Sequence, residues 1–239
     1  MNYIDLFSGI GGFALGAYWA GMKFERHYFS EVEPYAVELY QKRFPDAIPL
    51  GNITKQEEWN LEKGEYIITG GVPCQPHSWI GRRKGKADPR YLWPEMYKCI
   101  QTYRPLWSII ENVPGIISDG TLDSICADLE DSNYSFAPLV FPAASLGAPH
   151  IRYRVFIVSN LEGVGREQGY KNSRGSGEGT VAQEERIGFT NHSRWQTEPA
   201  VRRMAHGIPR GMERLRGLGN AVVPQKAELL FRQIMGGEN

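Results

Sequence analysis

The chain has 239 residues, 41% hydrophobic and 23% charged, which suits a globular protein that buries a full core in one domain with at most a small appendage and excludes a globally disordered chain. Lys plus Arg total 27 and Asp plus Glu total 27, so overall charge points to no nucleic-acid partner, and any such partner must be read from the distribution of charge. Three scattered cysteines exclude a disulfide framework and a paired-cysteine zinc site. With no basic-then-apolar leader and no run of about eighteen apolar residues, the expectation is a cytoplasmic, metal-free protein in a reducing compartment and outside the membrane.

Tyr3-Ile4-Asp5-Leu6-Phe7 reads as a short apolar strand, Ser8-Gly9-Ile10-Gly11-Gly12 as a glycine turn, and the stretch through Ala14, Leu15, Tyr18 and Trp19 to Gly21 as a helix. Gly9-x-Gly11-x-x-Ala14 fits the relaxed dinucleotide fingerprint. Glu31 stands about twenty residues on, after a strand over residues 23–30, where an acid that binds ribose hydroxyls belongs. Such a unit serves NAD and S-adenosylmethionine alike, since both need close backbone approach at the first turn and a nearby helix start. A tight turn without a ligand is the plain alternative. A helix follows Glu33-Pro34 through Ala36, Leu39 and Tyr40 toward Phe44, ended by Pro45, and Gly51-Asn52-Ile53-Thr54 comes next.

Tyr66-Ile67-Ile68-Thr69 reads as a buried strand that runs into Gly70-Gly71-Val72-Pro73-Cys74-Gln75-Pro76-His77-Ser78. Two glycines relax the backbone where the strand must turn, and two prolines stiffen the segment, so Cys74 is presented at the crest of a rigid loop. An isolated cysteine is most often a small buried hydrophobe. Here Ile80-Gly81-Arg82-Arg83-Lys84-Gly85-Lys86 follows, with four cations and no acid, and positive surroundings lower a thiol pKa and attract phosphates. Cys74 is therefore read as a nucleophile.

From Asp88-Pro89-Arg90-Tyr91-Leu92 a helix carries Met96, Ile100 and Tyr103, and Leu106-Trp107-Ser108-Ile109-Ile110 is a buried strand with Glu111-Asn112-Val113-Pro114 at its carboxyl end, where open α/β sheets bind ligands. A helix through Leu122, Ile125 and Leu129 leads to a strand over residues 134–140 and the turn Gly147-Ala148-Pro149. Arg152-Tyr153-Arg154-Val155-Phe156-Ile157-Val158 reads as a strand whose two arginines share a face, and an edge strand with solvated cations is the bland alternative. Residues 161–180 hold six glycines, so they form a loop, a hairpin or a boundary, and residues 161–216 carry ten Lys/Arg against seven Glu, which suits a DNA groove or a solvated linker. Gly219-Asn220-Ala221-Val222-Val223-Pro224 then precedes a helix through Ala227, Leu230, Phe231 and Ile234.

These segments resemble, in order and over nearly the whole chain, the motifs of the cytosine-C5 DNA methyltransferases. Residues 5–12 match the cofactor motif Asp-Leu-Phe-x-Gly-x-Gly-Gly, residues 70–75 match the catalytic loop Gly-Gly-x-Pro-Cys-Gln, and Glu111-Asn112-Val113, the Pro-x-x-Arg-x-Arg-Val of residues 149–155 and the closing segment at Gly219 follow. Asn52 departs from the usual Asp and His150 from the usual Gln, the Arg-rich motif is only faintly present at residues 214–218, and the target-recognition region is short. The resemblance implies an α/β class I S-adenosylmethionine-dependent methyltransferase, Rossmann-like, with a mixed, mostly parallel sheet. Its catalytic domain would comprise residues 1–160 plus 212–239, with a target-recognition region at 161–211.

By the same resemblance, S-adenosyl-L-methionine is the cofactor. Phe7, Gly9, Gly11 and Gly12 take its methionine end, Glu31 the ribose and Asn52 the adenine amino group, and Val32, Ile53, Pro73, Leu92, Asn220 and Val222 are further cofactor contacts. Cys74 attacks C6 of the cytosine, Glu111 acts at N3, Arg154 at O2, and Arg152 orients Glu111 or a phosphate. Gln75, Ser78, Arg82, Arg83 and Lys84 contact double-stranded DNA, and the chain is expected to act as a monomer. A branch of the family acts on tRNA with the same catalytic residues, and a nucleic-acid-binding relative that lost catalysis is a third reading. An NAD dehydrogenase explains the first turn and nothing after it.

Overall fold

The computed structural model describes residues 1–73, 91–162 and 211–236. The continuous apolar runs become the central strands: β1 (Asn2–Leu6), β2 (His27–Ser30), β3 (Ile48–Pro49), β4 (Tyr66–Gly71), β5 (Trp107–Asn112), β6 (Tyr134–Phe141) and β7 (Arg154–Leu161) form one seven-stranded sheet in the order β3-β2-β1-β4-β5-β7-β6. Pairing is parallel from β3 to β5, and β7 runs against both of its neighbours, so the sheet is mixed and mostly parallel as expected.

Runs that are apolar at successive positions rather than at alternate ones suit strands covered on both faces. Successive residues divide between the two sides: Tyr3, Ile67, Ile109 and Phe156 enter one core, and Ile4, Ile68, Ile110 and Ile157 the other. The first core is closed by α1 (Gly12–Trp19), α2 (Pro34–Arg43) and the last helix, and the second by α3 (Trp93–Tyr103) through Trp93, Met96 and Ile100 and by α5 (Thr121–Asp131) through Ile125 and Leu129. A short α4 (Gly115–Ser118) precedes α5. The closing helices are α6 (Gly211–Asn220) and α7 (Pro224–Ile234), and Ala227, Leu230 and Phe231 of α7 lie in the first core with β1. This is a doubly wound α/β fold with its helices on both faces. No helix among the described residues is long and apolar enough to cross a membrane.

Two strand starts differ from the sequence reading by more than one residue. β2 begins at His27, because Phe24 is used as a cover that stacks on Tyr3 at 4.5 Å rather than as a strand residue. β7 begins at Arg154, and Arg152 lies outside it at φ 38, in the left-handed region, so the two arginines do not share a strand face. Alternation fails there because the backbone is turned by contacts with the closing segment, described below.

Candidate active site

β2 and β3 lie to one side of β1, and β4 and β5 to the other, so the topological switch opens a crevice at the carboxyl ends of β1 and β4. Leaving β1, the chain turns with positive φ at Phe7 (51), Gly9 (52) and Gly11 (85). Two of these are glycines, which adopt that region freely, while Phe7 is held there at a cost of about 1–3 kcal/mol, a strain found where surroundings fix a functional turn. The clamp is visible. Glu31, just past β2, accepts the Gly9 N–H on Oε2 at 2.8 Å and the N–H groups of Val32 and Glu33 on Oε1 at 2.8 and 2.9 Å. Arg43 donates to the Ile10 carbonyl at 2.9 Å, and the rings of Tyr40 and Phe44 lie so close under Gly11 that a Cβ there would stand 2.7 Å from Phe44.

The donor and acceptor set left over suits an adenosyl ligand. Glu31 Oε2 accepts one N–H and retains a lone pair for a diol. Val32, next to it, is an apolar side chain 66% exposed, and the buried Ser8 Oγ in the turn has no partner among the described residues. Asn52 Oδ1 caps the following 3-10 helix by accepting the Thr54 N–H at 3.0 Å and keeps one acceptor site for an exocyclic amine. The side chain of Ile53 is committed to the core at 3% exposure. Leu92 is half-buried at the start of α3 and Asn220 exposed at the end of α6, and neither is among the residues that hold the turn.

Beside this turn lies a second cluster. The register pairs Gly71 of β4 with Glu111 of β5, and Glu111 with Phe156 of β7. A Cβ at Gly71 would stand 3.5 Å from Glu111 Oε2 and 3.8 Å from Val222 Cγ2, while a Cβ at Gly12 would collide with the Val222 carbonyl. Val222 thus spans the gap between the glycine turn and the acid, and Pro73 follows half-buried after Val72. Arg154 Nε donates to Glu111 Oε1 at 2.9 Å, with both side chains largely buried, and its Nη1 donates to the Tyr153 carbonyl at 2.7 Å. Burial pushes the Glu111 carboxyl up from its ordinary range, against the pull of Arg154, Arg152 and Lys226. A carboxyl whose protonated form is favoured in this way suits donation of a proton or a strong hydrogen bond to a base.

The division of roles between the arginines differs from the expectation. It is Arg154 that orients Glu111. Arg152 instead sends Nη2 to the carbonyls of Gly219 at 2.9 Å and Ala221 at 2.6 Å, tying the closing segment to the entry of β7. Cys74, Gln75, Ser78, Arg82, Arg83 and Lys84 lie outside the described residues, as does most of the proposed target-recognition region.

Sequence reasoning missed a buried polar chain beneath the glycine turn. Asp5, fully buried in β1, accepts from Thr69 Oγ1 at 2.9 Å and Tyr40 Oη at 3.0 Å; Tyr40 Oη also meets His27 Nε2 at 2.8 Å, whose Nδ1 meets Tyr18 Oη at 3.1 Å. The available signal was an aspartate inside an apolar strand. Burial raises the Asp5 carboxyl from 3.8 to about 7, opposed by its bonds from Thr69 and Tyr40. Between pH 4 and 7 the unfolded chain releases this proton and the folded chain keeps it, so stability from this group falls as pH rises through that window, by up to about 1.4 kcal/mol per pH unit, and is flat above it. Urea unfolding at pH 5 and pH 7 should therefore show a smaller pH slope for Asp5→Asn than for wild type. An unaltered slope would assign the dependence to another group.

A family model described as C-5 cytosine-specific DNA methylase matches residues 1–206. The Type II methyltransferase M.MspI of Moraxella sp is 37% identical over 165 residues, which cover 67% of this chain and 38% of that protein. M.NgoBV of Neisseria gonorrhoeae is 31% identical over 177 residues, 68% of this chain and 42% of that protein. The matched part of the chain therefore covers less than half the length of each of these relatives. Among solved structures, a putative DNA modification methyltransferase encoded within an E. coli prophage superposes with a TM-score of 0.55 at 29% identity, covering 67% of this chain and 47% of that one. The S. pombe Dnmt2 methyltransferase gives 0.56 at 22% identity over 69% and 52%, a likeness of fold.

Proposed function

The chain belongs to the C-5 cytosine-specific DNA methylase family, and from that premise we propose that it transfers a methyl group from S-adenosyl-L-methionine to C5 of a cytosine in double-stranded DNA. The observation that carries this reading is Glu111: a buried acid at the carboxyl end of β5, bonded to Arg154 and lying beside Gly71, which precedes Cys74 by three residues in the sequence. S-adenosyl-L-methionine supplies an electrophilic methyl group on a sulfonium sulfur. Phe7, Gly9, Gly11 and Gly12 would hold its methionine end, Glu31 its ribose, and Val32 and Asn52 its adenine.

Cytosine C5 is too weak a nucleophile to take that methyl unaided. The Cys74 thiolate forms a bond to C6, the ring double bond opens toward C5, and Glu111 donates its proton or a strong hydrogen bond to N3. Arg154, whose Nε and Nη1 are engaged by Glu111 and the Tyr153 carbonyl, has further N–H donors to offer the O2 oxygen as charge builds there. C5 would then take the methyl group as its bond to the sulfonium sulfur breaks, leaving a neutral thioether, and removal of the C5 proton by a solvent base would restore the C5–C6 double bond and expel the Cys74 thiolate. The thiol must reach the face of a stacked base, so the nucleotide has to swing out at a cost of a few kcal/mol. Gln75, Ser78, Arg82, Arg83 and Lys84, with residues 161–211 as the target-recognition region, would offset this through contacts to the DNA.

DNA containing 5-fluorocytosine tests the mechanism, because fluorine at C5 cannot leave as a proton would. With cofactor present, wild-type protein should form an adduct that survives denaturation and Cys74→Ala none. Equal yields would remove Cys74 from its role. Labelled cofactor offered with DNA and with tRNA separately then identifies the acceptor, and label in tRNA alone would overturn the DNA assignment.

A further inference from the structure

We propose that Lys226 is a positioning residue of the methyl-transfer site, a buried ammonium strut between α7 and the entry of β7 that sets how Arg154 presents itself to Glu111. This deepens the functional reading above and rests on it. A fully buried lysine is rare unless its charge is compensated, and Lys226 is 0% exposed. Its Nζ donates to the carbonyls of Phe141 at 2.7 Å and Arg152 at 2.9 Å and lies 5.0 and 5.6 Å from the ring centres of Phe141 and Phe156. The two carbonyls bracket one connection, since Phe141 ends β6 and Arg152 precedes β7, with Phe141 paired to Arg154 in the register and Ala143 N bonded to the Ile151 carbonyl at 2.6 Å.

The clasp is reciprocal. Lys226 holds the Arg152 carbonyl, and the Arg152 guanidinium holds the Gly219 and Ala221 carbonyls just before α7. That double hold accounts for the left-handed φ of 38 at Arg152, a conformation that costs about 1–3 kcal/mol and persists only where surroundings over-determine it. Two residues on, Arg154 meets Glu111. Through α7, which packs against α1, the same lysine also connects the acid to the helix that starts at the glycine turn.

Lys226 acts on Glu111 by charge as well. The charged groups facing it are Arg154 and Arg152 at the entry of β7 and Glu111 on β5, while Glu228, also on α7, pairs with Arg232. Burial, then the neighbouring Arg154, lowers its ammonium to about 8, with Glu111 pulling the other way; conversely, the charged lysine favours the Glu111 carboxylate. Without that charge Glu111 holds its proton to higher pH.

The test is a titration of the Glu111 carboxyl by carbon NMR in the full chain without cofactor, assigned with Glu111→Gln, alongside the pH profile of kcat on DNA. Lys226→Met, which keeps length and deletes charge and donors, should move the Glu111 midpoint and the alkaline limb of kcat upward by at least about half a pH unit. It should also lower kcat at least about tenfold with cofactor KM changed less than about threefold, and Lys226→Arg should restore the midpoint. A merely structural lysine would lower the rate at all pH and leave both midpoints unmoved, which would overturn the inference. If Lys226→Met does not fold, the wild-type Glu111 signal must show a second inflection near pH 8 coincident with the Lys226 Nζ titration, and a single inflection overturns the inference. Failure of the wild-type chain to methylate either DNA or tRNA would instead sink the functional reading.

Discussion

Replacing Glu111 by Gln should slow methyl transfer by at least about a hundredfold while cofactor affinity stays within about threefold of wild type. A hundredfold corresponds to about 2.7 kcal/mol of lost transition-state stabilisation, within the range for removal of a positioned general acid. Gln has nearly the shape of Glu and can still accept a hydrogen bond from Arg154, so the site should keep its packing. What the substitution removes is the proton. The cofactor should be affected little, because the residues proposed to hold its methionine end, ribose and adenine follow β1, β2 and β3, with the glycine turn clamped by Glu31 and Arg43 rather than by Glu111. Burial has already raised the Glu111 carboxyl, so wild-type kcat should fall as pH rises through its titration, whereas the small residual rate of Glu111→Gln should lack that limb. Single-turnover transfer of labelled methyl to DNA and equilibrium binding of cofactor measure the two quantities separately. An unchanged rate would eliminate Glu111 as the acid.

What could be read from the sequence divides along physical lines. β1, β4 and β5 were legible because a strand covered on both faces is predominantly apolar, and Gly71 and Glu111 at the carboxyl ends of β4 and β5, with Gly9 just past β1, stand at the edge where open α/β sheets bind ligands. Glu31 was legible for a similar reason, at the end of β2. Pairing was harder. That Arg154 and not Arg152 meets Glu111 depends on a left-handed residue, and no local pattern announces an arginine turned by contacts with Gly219 and Ala221, more than sixty residues away. The chain Asp5, Tyr40, His27 and the strut at Lys226 are likewise built from residues that strand and helix periodicity reads as ordinary, and only the packing of α2 and α7 reveals their partners. The loop of Cys74 and the target-recognition region, which motif resemblance marked out, lie outside the described residues.

The other large effect is expected at Gly16, where Gly16→Ala should lower stability by about 2 kcal/mol. A helix interior ordinarily gains up to about 1 kcal/mol from this substitution, so the sign depends on what the new methyl meets. Here it would meet Ala227 Cβ at 2.5 Å, the Pro224 carbonyl oxygen at 2.6 Å and the Glu228 nitrogen at 2.7 Å. Two of the three are backbone atoms of α7, which cannot rotate aside, so the helix itself must retreat. Overpacking of this kind costs about 1–3 kcal/mol, and the upper end applies where backbone has to move, which outweighs the gain in propensity. For a chain of this size the net loss should read as a Tm lower by about 4–8 °C. Gly219→Ala is the control: among the described residues nothing lies within 4 Å of a Cβ there, and it sits in α6, so it should be neutral or slightly stabilising. The two glycines also separate stability from function. A retreat of α7 would draw Val222 away from Gly12 and Lys226 away from the Arg152 carbonyl, so Gly16→Ala should weaken cofactor binding and raise the Glu111 titration together, whereas a loss of stability with both unchanged would mean that α7 is not what couples the two halves of the site.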